Sequence, residues 1–131
     1  MKHSPIYLEN RNRLVNLKYE HSRYSPTTRT IKDWFEVIND QIFSNALKPF
    51  DTIIVKSMGD FHAMFTSFDD DTTQLEMHRS FDNEKVFVEI LSHECIHLYQ
   101  YLHDEPVDHG PTFRKWREKF MHFGLTLHRT F

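Results

Sequence analysis

The chain has 131 residues, of which 39% are hydrophobic and 27% charged, so it has enough apolar side chains for one folded domain and too few residues for two. A formal net charge of −3 excludes a protein that is basic over its whole surface. The single cysteine excludes an internal disulfide framework and favours a reducing, cytoplasmic location. Since no apolar stretch has the length of a membrane-spanning helix, no membrane partner is expected.

Charge is unevenly distributed along the chain. Residues 1–30 carry six Lys or Arg against two Asp or Glu, whereas residues 31–131 carry ten against seventeen. The first segment lacks clear periodicity, because Tyr7, Leu14 and Leu17 form only one weak helical face. We therefore predict a basic, partly ordered N-terminal arm over residues 1–30 and a folded domain over residues 31–131. The arm is a candidate contact for DNA.

The first half of the domain predicts a helix and three short strands. Apolar residues recur at helical spacing from Ile31 to Ile42, with Thr30 as the expected N-cap and an end near Ser44. Three runs of β-branched or alternating residues follow, at residues 52–56, 61–66 and 74–79.

The second half predicts two more helices. Ser80 or Asp82 is the expected cap of a long helix over residues 83–102. After a loop, Pro111 begins a last helix that stops at Gly124. The order helix, three strands, helix, helix predicts an α+β fold.

The residues His93-Glu94-Cys95-Ile96-His97 form an H-E-x-x-H segment in the middle of the long helix. Residues four apart lie one turn apart on the same face, so that two imidazoles can reach one metal ion. The glutamate between them then projects toward a water on that metal. The pattern predicts a zinc site with Glu94 as the base. The competing interpretation is a helix whose histidines border a polar pocket without metal.

A catalytic zinc needs a third protein ligand, and three residues are candidates. His103 fits the spacing of one protease group, but that arrangement has a glycine where this chain has Gln100. Glu118 resembles the downstream glutamate of another group, without the Asn and Asp that surround it there. His109 follows Pro106, which interrupts the helix, and precedes a helix that can fold back over the metal. We therefore predict that His109 completes the site.

Two further residues are candidates for supporting roles. Glu89, one turn before His93, is predicted to orient a ligand imidazole; a solvated glutamate on the helix surface fits its position equally well. Tyr101, near the same helical face as His97, is a candidate donor to the oxyanion, against the alternative of a core or surface tyrosine.

Several segments together carry a family resemblance. They are the end of the leading helix (residues 42–47, IFSNAL), the strands around residues 62–63 and 74–77, the segment EILSHECIHLY at residues 89–99, and HGPTF at residues 109–113. From about Ile31 to Leu127 the chain resembles the SprT-like zinc metalloproteases, which include the spartan-type DNA–protein crosslink proteases.

That resemblance implies a zincin-like metalloprotease fold with a bound Zn²⁺ ion. It also implies that His93, His97 and His109 bind the zinc and that Glu94 is the catalytic carboxylate. The expected reaction is hydrolysis of peptide bonds in protein substrates, including proteins bound or crosslinked to DNA, and the expected role is DNA–protein crosslink repair.

Many members of that family continue into a four-cysteine zinc ribbon or into segments that bind DNA and partners. With one cysteine in this sequence, the basic arm is the expected route to DNA. Two alternatives stay open. One is a dedicated processing protease that acts on one protein partner without DNA, and the other is a non-catalytic, zinc-containing binding module.

Overall fold

A computed structural model of the chain describes residues 4–129. Over that range the chain forms five helices and one three-stranded sheet, which confirms the predicted α+β class. In chain order the elements are α1 (Pro5–Leu14), α2 (Thr28–Gln41), β1 (Thr52–Lys56), β2 (Ala63–Ser67), β3 (Thr73–His78), α3 (Glu84–Leu102), α4 (Pro111–Arg114) and α5 (Arg117–His122). None of the helices in this range is both long enough and apolar enough to cross a membrane.

The sheet has β3 at its centre, parallel to β1 and antiparallel to β2. Successive side chains of a strand point to opposite faces, and Leu75 and Met77 of β3 are fully buried on the same face. β2 is an edge strand that packs against α3. The predicted strands are confirmed, with the ends of β2 and β3 shifted by one or two residues.

Helix α2 begins three residues earlier than predicted. The Thr27 hydroxyl accepts from the backbone N–H of Thr30 at 3.1 Å, and the Thr30 hydroxyl accepts from the N–H of Thr27 at 2.9 Å. This reciprocal capping box satisfies two N–H groups that the helix itself leaves unpaired. Thr27 is therefore the N-cap, and the prediction of Thr30 is wrong. Both residues are threonines that can cap, so residue type alone does not distinguish them. The helix buries Ile31, Trp34 and Ile38 in the core.

The N-terminal segment differs most from its prediction. Residues 5–14 form α1, which packs on α2, and its Tyr7 and Leu14 are fully buried. The Tyr7 hydroxyl donates to Asp40 of α2. The prediction of a partly ordered arm is therefore corrected for this helix, which belongs to the core. Its periodicity is weak because the third buried position is the polar Asn10.

Helix α3 agrees with its predicted range but not with its predicted cap. The Asn83 side chain accepts from the N–H of Val86 at 2.9 Å, so neither Ser80 nor Asp82 is the N-cap. The predicted last helix is divided into α4 and α5, with Trp116 at the break. The indole of Trp116 packs there on Phe43 and Tyr99, with ring centroids 4.5 and 4.9 Å apart.

Candidate metal centre

Three imidazole nitrogens converge beside α3. His93 and His97 lie one turn apart on that helix, and His109 reaches them from the loop before α4. The Nε2 atom of His97 lies 3.1 Å from that of His93 and 3.2 Å from that of His109, and the His93 and His109 atoms are 3.2 Å apart. These are the three residues that the sequence predicts as ligands, and their arrangement allows one metal ion to contact all three.

Hydrogen bonds on the far side of two rings set the orientation of the cluster. The Nδ1–H of His93 donates to the carbonyl oxygen of His128 at 2.6 Å, because a carbonyl can only accept. The Nδ1 atom of His97 lies 2.9 Å from the Oε1 atom of Gln100. The NH₂ group of Gln100 donates to the hydroxyl of Thr112 and to the carbonyl oxygen of Asp108, so its Oε1 atom faces His97 as an acceptor. With the protons on Nδ1, both Nε2 atoms present lone pairs to the centre of the cluster.

This donor set fits a zinc ion. Lone pairs of His93 and His97 that face each other at 3.1 Å repel unless a cation lies between them. In a tetrahedral site, zinc–nitrogen bonds of about 2.0–2.1 Å hold the nitrogens about 3.3 Å apart. The triangle of Nε2 atoms is within about 0.2 Å of that spacing, so the three histidines have the geometry of a three-ligand site with a fourth position open.

The two other candidates for the third ligand lie away from the cluster. His103 is exposed, its ring stacks on Tyr99 at a centroid distance of 3.9 Å, and its Nδ1 lies 2.9 Å from the Tyr99 carbonyl oxygen. Glu118 is exposed on α5. Neither belongs to the group of residues that could hold one ion.

Burial favours the neutral form of the clustered imidazoles. It lowers the pKa of His93 to about 3, and the neighbouring His97 adds to this effect. Burial also lowers the pKa of His97 and of His109, and the positive charge of Arg129 contributes at His109. Since a metal ion binds only the unprotonated nitrogen, protons compete weakly for this site near neutral pH.

Glu94 lies beside the cluster and faces the edge of the sheet. Its side chain is almost completely buried, with Oε2 3.8 Å from the Nε2 atom of His93. Burial raises the pKa of this carboxyl to about 8, although a hydrogen bond from the backbone N–H of Phe65 in β2 acts in the opposite direction. A nearby cation would lower that pKa, because an opposite charge favours the ionised form. A carboxyl whose pKa lies near neutral pH can in general both accept and donate a proton.

A cleft of about 360 Å³ opens over the cluster, between β2 and the loop that precedes α4. Glu94 and the three histidines lie in it. Its rim carries exposed apolar side chains, with Phe61 62%, Met64 43% and Val107 48% exposed. The cleft therefore connects the histidine cluster with solvent.

Comparison with known families agrees with this geometry. The sequence model of the SprT-like family matches residues 31–130. The chain belongs to the SprT-like family. Membership supports a function of the metalloprotease type, and the three histidines provide a place for the metal that such a function needs. No curated protein matches the chain significantly.

Glu89 of this SprT-like domain supports the cluster through the C-terminal segment rather than by direct contact. Its fully buried carboxylate accepts from the Tyr19 hydroxyl at 2.6 Å, the Thr126 N–H at 2.8 Å and the His128 Nε2 at 2.9 Å. The carbonyl of His128 in turn accepts from His93. Glu89 therefore fixes the segment that orients the imidazole of His93, a candidate ligand. Sequence reasoning missed Tyr19 and His128 because both are distant along the chain and carry no local signal.

We expect Glu89→Gln to lower the zinc affinity of the SprT-like domain about 10- to 100-fold, the usual cost of losing an outer partner of a metal ligand. The free energy of unfolding should fall by about 1–3 kcal/mol. The reason is that the NH₂ group of glutamine is itself a donor, so at least one of the three donors to the Glu89 carboxylate would lose its acceptor. Zinc titration against a competing chelator and urea unfolding measure the two effects. Glu118→Gln, at an exposed carboxyl, is the matched control. Equal zinc affinity in Glu89→Gln and the unaltered protein would contradict this role.

The structure does not bring Tyr101 to the SprT-like site. Its hydroxyl donates to Asp71, in the turn between β2 and β3, at 3.1 Å. Tyr101 also does not line the cleft over the histidines. The prediction that it donates to the oxyanion is corrected: the residue shares a helix with His97, but its long side chain extends toward the tip of the β2–β3 turn.

Proposed function

We propose that this SprT-like domain is a zinc-dependent endopeptidase. The observation that carries the proposal is the placement of Glu94, a buried carboxyl 3.8 Å from a nitrogen of the histidine cluster, inside a cleft that is open to solvent. A zinc site with a purely structural role has no need of a base at this position. Family membership supports the same reaction class.

His93, His97 and His109 would hold the zinc through their Nε2 atoms. Bound there, zinc supplies Lewis-acid chemistry, which lowers the pKa of a water molecule and polarises a peptide carbonyl. Glu94 accepts the proton as the water attacks the carbonyl carbon, and then transfers it to the departing amine. The backbone N–H of Phe65 favours the ionised form of this carboxyl, which is the form that accepts the proton.

The proposal extends to the class of substrate: proteins that are bound or crosslinked to DNA in an intracellular compartment. Support comes from the family resemblance and from Arg11, Lys18 and Arg29, exposed cations of the N-terminal segment. Cys95, a free and buried thiol, is compatible with a reducing compartment.

A dedicated processing protease that needs no DNA is the second candidate. Two arginines of the N-terminal segment are already used within the fold, since Arg13 pairs with Glu84 and Arg23 pairs with Asp82 at 3.0 Å. These two ion pairs reduce the positive charge that the N-terminal segment can offer to phosphates.

Cleavage of a DNA-binding protein with and without single- or double-stranded DNA separates the two candidates. We expect DNA to stimulate cleavage and added salt to suppress the stimulation, because phosphate contacts release counterions. The triple change Arg11→Glu, Lys18→Glu and Arg29→Glu should remove the stimulation, whereas Lys48→Glu, an exposed cation elsewhere, should keep it. Equal cleavage in all DNA conditions would contradict the DNA-bound substrate and favour the dedicated protease.

A further inference from the structure

The C-terminal part of the chain carries a cluster of positive charge that lies outside the set of metal-binding candidates. Residues 111–131 contain five Lys or Arg against one Glu, whereas residues 31–110 contain five against sixteen Asp or Glu. Three of these cations, Arg114, Arg117 and Arg129, line a single cavity of about 610 Å³. The positive charge is therefore gathered at one place in an acidic domain.

This cavity, here called the C-terminal arginine groove, combines cations with apolar side chains. Its apolar lining comes from α4, α5 and the segment after them, at Phe113, Met121, Leu125 and Leu127. The three arginines are exposed, and within residues 4–129 their guanidinium groups form neither an ion pair nor a hydrogen bond. Unpaired guanidinium groups beside apolar surface suit a ligand that offers both carboxylates and hydrocarbon.

The groove lies next to the candidate metal centre. Arg129 lines both the groove and the cleft over the histidines. The ring of Phe113 packs against all three imidazoles, with centroid distances of 4.8 Å to His93, 5.4 Å to His97 and 4.7 Å to His109. A polypeptide with one peptide bond at the histidines would therefore extend past Arg129 toward the groove.

The chemistry of the groove favours a peptide over a single-stranded nucleic acid. Single-stranded nucleic acids bind through exposed aromatic rings on which their bases stack. The aromatic ring among the lining residues is that of Phe113, which is only 1% exposed. Guanidinium groups over an aliphatic surface match acidic side chains separated by apolar ones.

We propose that the C-terminal arginine groove binds an acidic segment of the substrate polypeptide, next to the peptide bond that is cleaved. The proposal rests on the proposed peptidase function and specifies its substrate. It predicts that the protein selects cleavage sites by the acidic residues on one side of the bond.

Binding to the full chain, loaded with zinc and carrying Glu94→Gln to prevent cleavage, tests the proposal directly. The probes are a fluorescent peptide with four Asp or Glu residues, the same peptide with Asn and Gln instead, and a single-stranded oligonucleotide. Exposed ion pairs are weak individually, so we expect the acidic peptide to bind about tenfold more tightly than its amide counterpart. Raising the salt concentration should remove the difference.

Charge reversal at the groove gives the second arm of the experiment. Arg114→Glu with Arg117→Glu should abolish the preference for the acidic peptide, and the milder Arg114→Gln with Arg117→Gln should reduce it. Lys119→Glu is the matched control, since Lys119 is exposed on α5 and does not line the groove. This control should keep the preference.

Three results would overturn the proposal: equal binding of the two peptides, an equal loss in the Lys119→Glu control, or tighter binding of the oligonucleotide that depends on the same arginines. These results are distinct from failure of the proposed function. Binding of the peptides is measured without cleavage, so its result does not depend on catalysis. If the unaltered protein hydrolyses no peptide, that result contradicts the peptidase proposal, while the binding comparison still tests the groove.

Discussion

Glu94→Gln is expected to bind zinc as well as the unaltered protein does and to lower the rate of peptide hydrolysis about 10³-fold, within the range for the loss of a general base. Glutamine has the same size as glutamate, and its amide oxygen can still accept the N–H of Phe65. It cannot take a proton from the attacking water near neutral pH. Because Glu94 is not one of the three converging ligands, the zinc affinity should stay close to that of the unaltered protein.

Zinc content and initial cleavage rates, measured on the same preparations, check this prediction. Glu118→Gln is the control, because it makes the same chemical change at an exposed carboxyl outside the cluster. An unchanged rate in Glu94→Gln would assign the proton transfer to another group. Loss of zinc from Glu94→Gln would show instead that the carboxyl helps to build the metal site.

His109→Ala is expected to weaken zinc binding more than about 100-fold, the upper limit for a residue that only supports a ligand. Its Nε2 atom lies 3.2 Å from those of His93 and His97, so its removal leaves two ligands from one helix. The expected effect is large because two imidazoles and water hold zinc far less firmly than three imidazoles.

His103→Ala and Glu118→Ala serve as controls, since both side chains are exposed and lie outside the cluster. Competition with a chelator of known affinity gives the zinc affinity of each variant. Retained affinity in His109→Ala, together with a loss in either control, would contradict the three-histidine assignment.

The parts of the metal centre that sequence reasoning could predict depend on local geometry. His93 and His97 are four residues apart on a helix, which alone fixes their common face. His109 follows closely, after a proline that ends helical continuation and before a proline that begins the next helix. The loop between α3 and α4 is short, so the chain must reverse direction close to the end of α3. In the structure this loop brings His109 to the cluster.

The remaining parts depend on contacts between distant segments. The carbonyl of His128 that orients His93 lies 35 residues away along the chain, and a backbone acceptor has no sequence signature. Tyr19, which donates to Glu89, is 70 residues distant from it. Helix α1 was missed because one of its three buried positions is Asn10, which weakens the apolar period. Tyr101 shows that a shared helix does not determine where a long side chain ends.

Zinc content and proteolysis of one purified preparation, before and after chelation, test the central claim most directly. The three-histidine geometry and Glu94 predict a stoichiometric zinc ion and cleavage of an unfolded protein substrate. Chelation should abolish the cleavage, and added zinc should restore it. A folded protein that contains no zinc, or that cleaves equally well after the metal is removed, would contradict the assignment of this site as the centre of a zinc peptidase.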